Sequence, residues 1–241
     1  MKLVRCLPLV AVLVALSSAP ASAAILLAGL VGGTPFCASD NNVACGPGQI
    51  LDTNPAIGIV SLPTTVIGGL TIEGSLHTAL FGTTNALNSS SLSITNNTAG
   101  TVSAEVAIGA TGFVGPVDFV QASGSGTWFS APGSTIGMTF WADAANGQGG
   151  QAFNDLPGLL ICSSADLAGA GVDSFSLNCG SLFAAGGVFS MSMGFDLDLA
   201  AGGSLISRGQ NELASPVPEP ATMMLLGTGL LVAVRARKRR T

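Results

Sequence analysis

The longest regular pattern in the chain is "VFSMSMGFDLDLAAG", where Phe189, Met191, Met193, Phe195, Leu197 and Leu199 alternate with Ser190, Ser192, Gly194, Asp196 and Asp198. Successive strand side chains point to opposite faces. This period of two therefore predicts a long antiparallel strand, its apolar row on a core and its polar row toward water. Weaker copies recur: Val102, Ala104, Val106 and Ile108 alternate with Ser103 and Glu105, and Ile136, Met138 and Phe140 with Gly137 and Thr139. Leu92 and Ile94 sit between serines, while Leu70 with Ile72 and Leu76 with Leu80 predict two segments about a turn at Glu73-Gly74-Ser75.

Between these runs lie clusters of turn-forming residues: "TNNTAGT", "ASGSGT", "APGS", "NGQGG" and "AAGG". Alternating stretches punctuated at roughly ten-residue intervals predict an all-β fold. We expect one antiparallel β-sandwich, jelly-roll-like, over residues 24–208, followed by a polar linker at 209–217. The body shows no 3.6-residue apolar stripe, and "DLPGLLICSSADLAGAG" offers at most a short helical turn. No repeat of fixed period points to a propeller or β-helix.

Both ends break the pattern. Residues 1–23 carry Lys2 and Arg5, an apolar run to Leu16 and then small residues, the three parts of a secretory signal peptide, with cleavage expected between Ala23 and Ala24. At the other end, Ala221 to Val234 is uncharged and mostly apolar. As a helix it covers about 21 Å at ~1.5 Å per residue, short of a hydrocarbon core of about 30 Å. Snorkelling by the flanking Arg235, Arg237, Lys238, Arg239 and Arg240 extends the reach of such a transmembrane helix and holds that end in the cytoplasm. The body then lies outside.

Charge changes the picture once both ends are set aside. Only Arg208 remains basic between Ala24 and Pro218, against twelve acids, a net charge of about −11. Such a surface repels phosphate backbones, so nucleic-acid partners are excluded. Cys6 leaves with the signal, and four cysteines remain: Cys37, Cys45, Cys162 and Cys179. An even count in an exported chain predicts two disulfides. Three connectivities exist, and sequence proximity favours Cys37 with Cys45 and Cys162 with Cys179. A zinc site would need a C-x2-C spacing, which is missing, and the single histidine, His77, is remote.

Pro218-Glu219-Pro220, the short apolar run and the Arg-rich terminus together resemble the PEP-CTERM sorting signal of Gram-negative bacteria. The resemblance implies two processing enzymes, signal peptidase and the membrane protease exosortase, and passage through the membrane on the way to the surface. Pro218, Glu219 and Pro220 would act as substrate groups. The stretches "TGFVGPVDFVQASGSGTW", "GSTIGMTFWADAANGQG" and "LISRGQNE" also resemble PEP-CTERM ectodomains that have no assigned activity, so no catalytic residue carries over.

Candidate chemistry in the body is sparse. His77 lacks a Gly-x-Ser-x-Gly elbow. Asp196 and Asp198 share a strand face about 7 Å apart at ~3.4 Å per residue, a separation suited to inverting glycoside hydrolysis and equally to ordinary solvated side chains. Asp40, Asn41 and Asn42, or Asp143 with Asn146, offer oxygen ligands for calcium without spelling an EF-hand. Trp128 and Trp141 are the only tryptophans that could stack on sugar rings, and tyrosine is absent. The expectation is a non-enzymatic, cofactor-free surface or matrix protein, with a polysaccharide-binding lectin or hydrolase as the alternative. A hydrolase would bring carboxylates together in a cleft, whereas a structural module would spread Asp196 and Asp198 on an open face.

Overall fold

A computed structural model describes residues 24–81, 84–151 and 155–214. The predicted signal peptide with Ala23, the motif Pro218–Pro220, the predicted membrane helix and the basic cluster Arg235–Arg240 lie outside the described residues. In chain order the strands are β1 (Ile25–Val31), β2 (Thr34–Ser39), β3 (Ile59–Ile67), β4 (Leu70–Phe81), β5 (Thr84–Asn96), β6 (Val102–Val114), β7 (Val117–Phe129), β8 (Thr135–Asp143), β9 (Leu159–Leu167), β10 (Asp173–Ala185), β11 (Val188–Leu199) and β12 (Ser204–Ala214). They form two six-stranded sheets, ordered β2-β1-β6-β11-β8-β9 and β10-β7-β12-β5-β4-β3. Every strand pairing is antiparallel. Most connections after β5 cross from one sheet to the other, as in a jelly roll, so the inner faces share one core. The apolar row of β11, Phe189 to Leu199, is buried in it, with Phe113 stacked on Phe189 at 5.6 Å.

Both open edges of the sandwich are tied. Along one, Cys162 of β9 is bonded to Cys179 of β10, joining the edge strands of opposite sheets. Beside it the buried Trp128 of β7 donates its indole N–H to Asp166 Oδ2 of β9 at 2.8 Å. Along the other edge, Asp40 Oδ2 accepts from the N–H of Gly58 (2.8 Å), and Asn42 exchanges hydrogen bonds with the main chain of Asp52. There Cys37 is bonded to Cys45, and the following loop bonds back onto β2 through Cys37 N–H to Gly48 O and Ile50 N–H to Cys37 O. Free strand edges template association, and these loops cover one of them.

Four expectations change. The Glu73-Gly74-Ser75 segment is no turn; β4 runs through it with a register shift against β5 between Ser75 and Leu76. The "ASGSGT" run lies inside β7 rather than between strands. Its glycines are seats for neighbouring side chains: a Cβ on Gly124 would lie 2.8 Å from Met138 Sδ, and one on Gly126 2.4 Å from the Phe175 ring. The helical turn considered near Leu159 is β9. Finally, β12 continues past Arg208 to Ala214, taking 209–214 from the expected linker into the sheet, because its main chain pairs with β5 to Ala214 and with β7 as far as Glu212.

Candidate functional site

The outer face of the first sheet is built in cross-strand rows. One row runs Leu30, Glu105, Asp196, Gly137, Ala165 across β1, β6, β11, β8 and β9, and the next runs Ala28, Ala107, Gly194, Thr139, Ser163. Glu105 and Asp196 are thus direct cross-strand partners on one face. Neighbouring this pair, Asp198 accepts a hydrogen bond from Ser103 Oγ.

Part of this face is covered by the β8–β9 connection. The main chain at Gly149 passes so close to Gly109 of β6 that a Cβ there would meet Gly149 O at 2.1 Å, and Leu156 lies over Gly194 of β11, 2.8 Å from where a Cβ would stand. Asp143 and Asn146 shape this connection. Asp143 accepts from the N–H groups of Ala145 (3.0 Å) and Gly147 (2.8 Å), and Asn146 Oδ1 accepts from Gly112 N–H (2.8 Å), pinning the loop to β6. These oxygens serve the fold, as Asp40 does at the other edge. Among the described residues no three His, Cys, Asp or Glu side chains are grouped to hold a metal.

The cover changes the reading of β11. Its polar row is not uniformly wet: Ser190, Ser192 and Gly194 are buried, and only Asp196 and Asp198 are exposed. Where the cover stops, an open trough of about 620 Å³ remains, lined by Glu105, Gly137, Thr139, Leu156, Ser163, Ser164, Gly194 and Asp196. Glu105 is half-buried and its Oε2 has no hydrogen-bond partner. The trough thus presents two carboxylates and the hydroxyls of Thr139 and Ser163 over a floor of small residues, an arrangement able to accept and donate hydrogen bonds to a polyhydroxylated ligand.

The remaining candidates do not converge here. Trp128 is fully buried against Phe175, at 5.9 Å between ring centroids, and so is core rather than a sugar platform. Trp141 faces outward on β8 beside Ser192 and Leu160, but is half-buried, with its indole N–H buried and unpartnered. His77 lies on β4 in the other sheet, its Nε2 3.1 Å from Ser75 Oγ, while Glu73 of the same strand accepts from Thr64 Oγ1 at 2.7 Å. Sequence reasoning missed Glu105, although the alternation of β6 already placed it on that strand's polar row. The absent information was the register that sets it opposite Asp196.

No curated protein matches the sequence. Among solved structures, the chain is similar to TmCBM61 in complex with beta-1,4-galactotriose (10% identity, 61% of this chain and 88% of that one, TM-score 0.35). It is similar also to the carbohydrate-binding module TmCBM27, described for mannan recognition (12%, 65% and 88%, TM-score 0.30). A third is the C-terminal CBM6 of LamC from Zobellia galactanivorans (7%, 57% and 87%, TM-score 0.25). The family model of the PEP-CTERM protein-sorting motif matches residues 216–240. The chain thus carries a PEP-CTERM protein-sorting motif, which together with the two disulfides of its body indicates an exported, cell-surface protein.

Proposed function

We infer that exosortase sorts and processes this chain at Pro218-Glu219-Pro220, and that the sandwich acts outside the cell as a non-enzymatic surface or matrix module. The observation that carries this reading is the sorting-motif match at 216–240. A secretory signal at 1–23 and a basic cluster after the apolar run support it, since both set the same topology. The test is the intact mass of the protein recovered from its native host's surface, with and without reduction. Loss of residues 1–23 and of the Arg-rich tail is expected, with a gain of about four hydrogens as two disulfides open. A recovered chain that keeps Arg235–Arg240 sinks the processing step.

A second reading rests on the trough: Glu105, Asp196, Thr139 and Ser163 bind hydroxyl groups of an extracellular polysaccharide. Calorimetric titration with neutral oligosaccharides checks it. Binding that weakens at least tenfold in Glu105→Gln supports the site, whereas binding that ignores the substitution places the sugar elsewhere.

A further inference from the structure

The described body ends close to one pole of the sandwich. The last pairing of β12 with β7 is Glu212 with Gln121, two residues short of Phe119, and β12 ends at Ala214 beside Thr84. The start of the body points to the same pole: Ile25 pairs with Ala110, Ala24 O accepts from Thr111 N–H, and antiparallel β1 therefore enters from the side of Val114. Two segments with strongly apolar sequence thus join the sandwich at one pole.

That pole carries an exposed apolar rim. Leu182 (79% exposed) and Phe119 (42%) are cross-strand partners on β10 and β7, and Val188 (53%) and Val114 (46%) on β11 and β6. Within 112–119 and 182–188 the single charged residue is Asp118.

We propose that, while the tail is uncut, this pole rests on the outer lipid surface of the membrane, with Val114, Phe119, Leu182 and Val188 in contact with the headgroup–acyl boundary. The proposal rests on the reading above that Ala221–Val234 sits in the membrane. From Ala214 to Ala221 the chain spans at most about 25 Å at ~3.6 Å per residue, so the rim is held near the bilayer. The opposite pole also exposes apolar side chains, Phe129, Leu167 and Val172. It lies about 34 Å away along β7, from Phe119 to Phe129 at ~3.4 Å per residue, and cannot reach lipid in the same pose. Four partly exposed side chains need supply only weak affinity, because the tether makes contact intramolecular. The acidic body favours zwitterionic over anionic lipid. Seated in this way, the rim would fix the height and tilt at which Pro218-Glu219-Pro220 meets a membrane protease.

The test uses the full chain inserted in phosphatidylcholine vesicles doped with a lipid carrying a photoactivatable diazirine high on its acyl chain, with adducts located by mass spectrometry. Adducts at 112–119 and 182–188, in addition to the tail, are expected. Phe119→Ser with Leu182→Ser, both at exposed positions, should cut the rim adducts at least fivefold and leave tail adducts unchanged. Adducts in the tail alone, or at the Phe129 pole, overturn the docking pose but leave the membrane reading intact. A chain with no tail adducts overturns both.

Discussion

Asn96 is 1% exposed, and its side-chain amide donates to the carbonyls of Gly100 (2.7 Å), Leu199 (2.8 Å) and Ala200 (3.1 Å), while its Oδ1 accepts from Thr98 N–H (2.8 Å). One residue thereby links the β5–β6 and β11–β12 turns at the pole away from the tail. Asn96→Ala leaves buried carbonyls without a donor, and should lower the unfolding free energy by about 1–3 kcal/mol. The readout is the urea midpoint at unchanged slope. A second residue-scale device titrates. Asp173 accepts from the N–H groups of Gly169 and Ser174, each at 2.8 Å, and these bonds, that from Gly169 first, hold its carboxyl below the ordinary 3.8. A depressed native value contributes stability that is present above the unfolded value and lost as pH falls through the native one. Asp173→Asn should therefore flatten the decline of melting temperature below about pH 3.8. An acid limb as steep as the parent's would show that this carboxylate contributes nothing there.

The edge strands β9 and β10 belong to different sheets, and Cys162–Cys179, closing a separation of 17 residues, is the covalent link between them. Cys162→Ser with Cys179→Ser should cost about 2–4 kcal/mol, and Cys37→Ser with Cys45→Ser less, since its separation of 8 constrains a shorter loop of the unfolded chain. Paired thermal melts decide the order. The same element scale shows what the sequence could reveal. The apolar row of β11 is legible because every member meets the core, and alternation encodes that directly. Its polar row is legible only in hindsight: Ser192 and Gly194 are small where a loop lies over them, and the change to Asp196 and Asp198 marks where the cover ends. A pattern of two periods carries no sign of a third layer. Register is equally silent, since the opposition of Glu105 and Asp196 depends on how β6 slides along β11.

Across the whole molecule the acids are unevenly placed. Glu105, Asp196 and Asp198 share the outer face of the first sheet, whereas the outer face of the second carries Glu73 among Thr71, Ser75, Ser93, Thr95, Ser125 and Ser176. Arg208 is the only basic residue in the body, so acid–acid repulsion goes largely uncompensated within it. Repulsion of this kind destabilises the compact state and is screened by salt, over a Debye length of about 10 Å at 0.1 M. A chain of residues 24–214, free of both basic termini, should therefore melt at higher temperature as sodium chloride rises from 10 to about 300 mM, a range in which screening dominates over preferential exclusion. Glu105→Gln should shrink that gain, because it removes one of two directly opposed like charges. A salt response that is flat in the parent would mean that the acids are far enough apart for solvent alone to screen them. The two carboxylates of the trough would then cost the fold nothing. Scanning calorimetry of parent and variant over the salt series separates these cases.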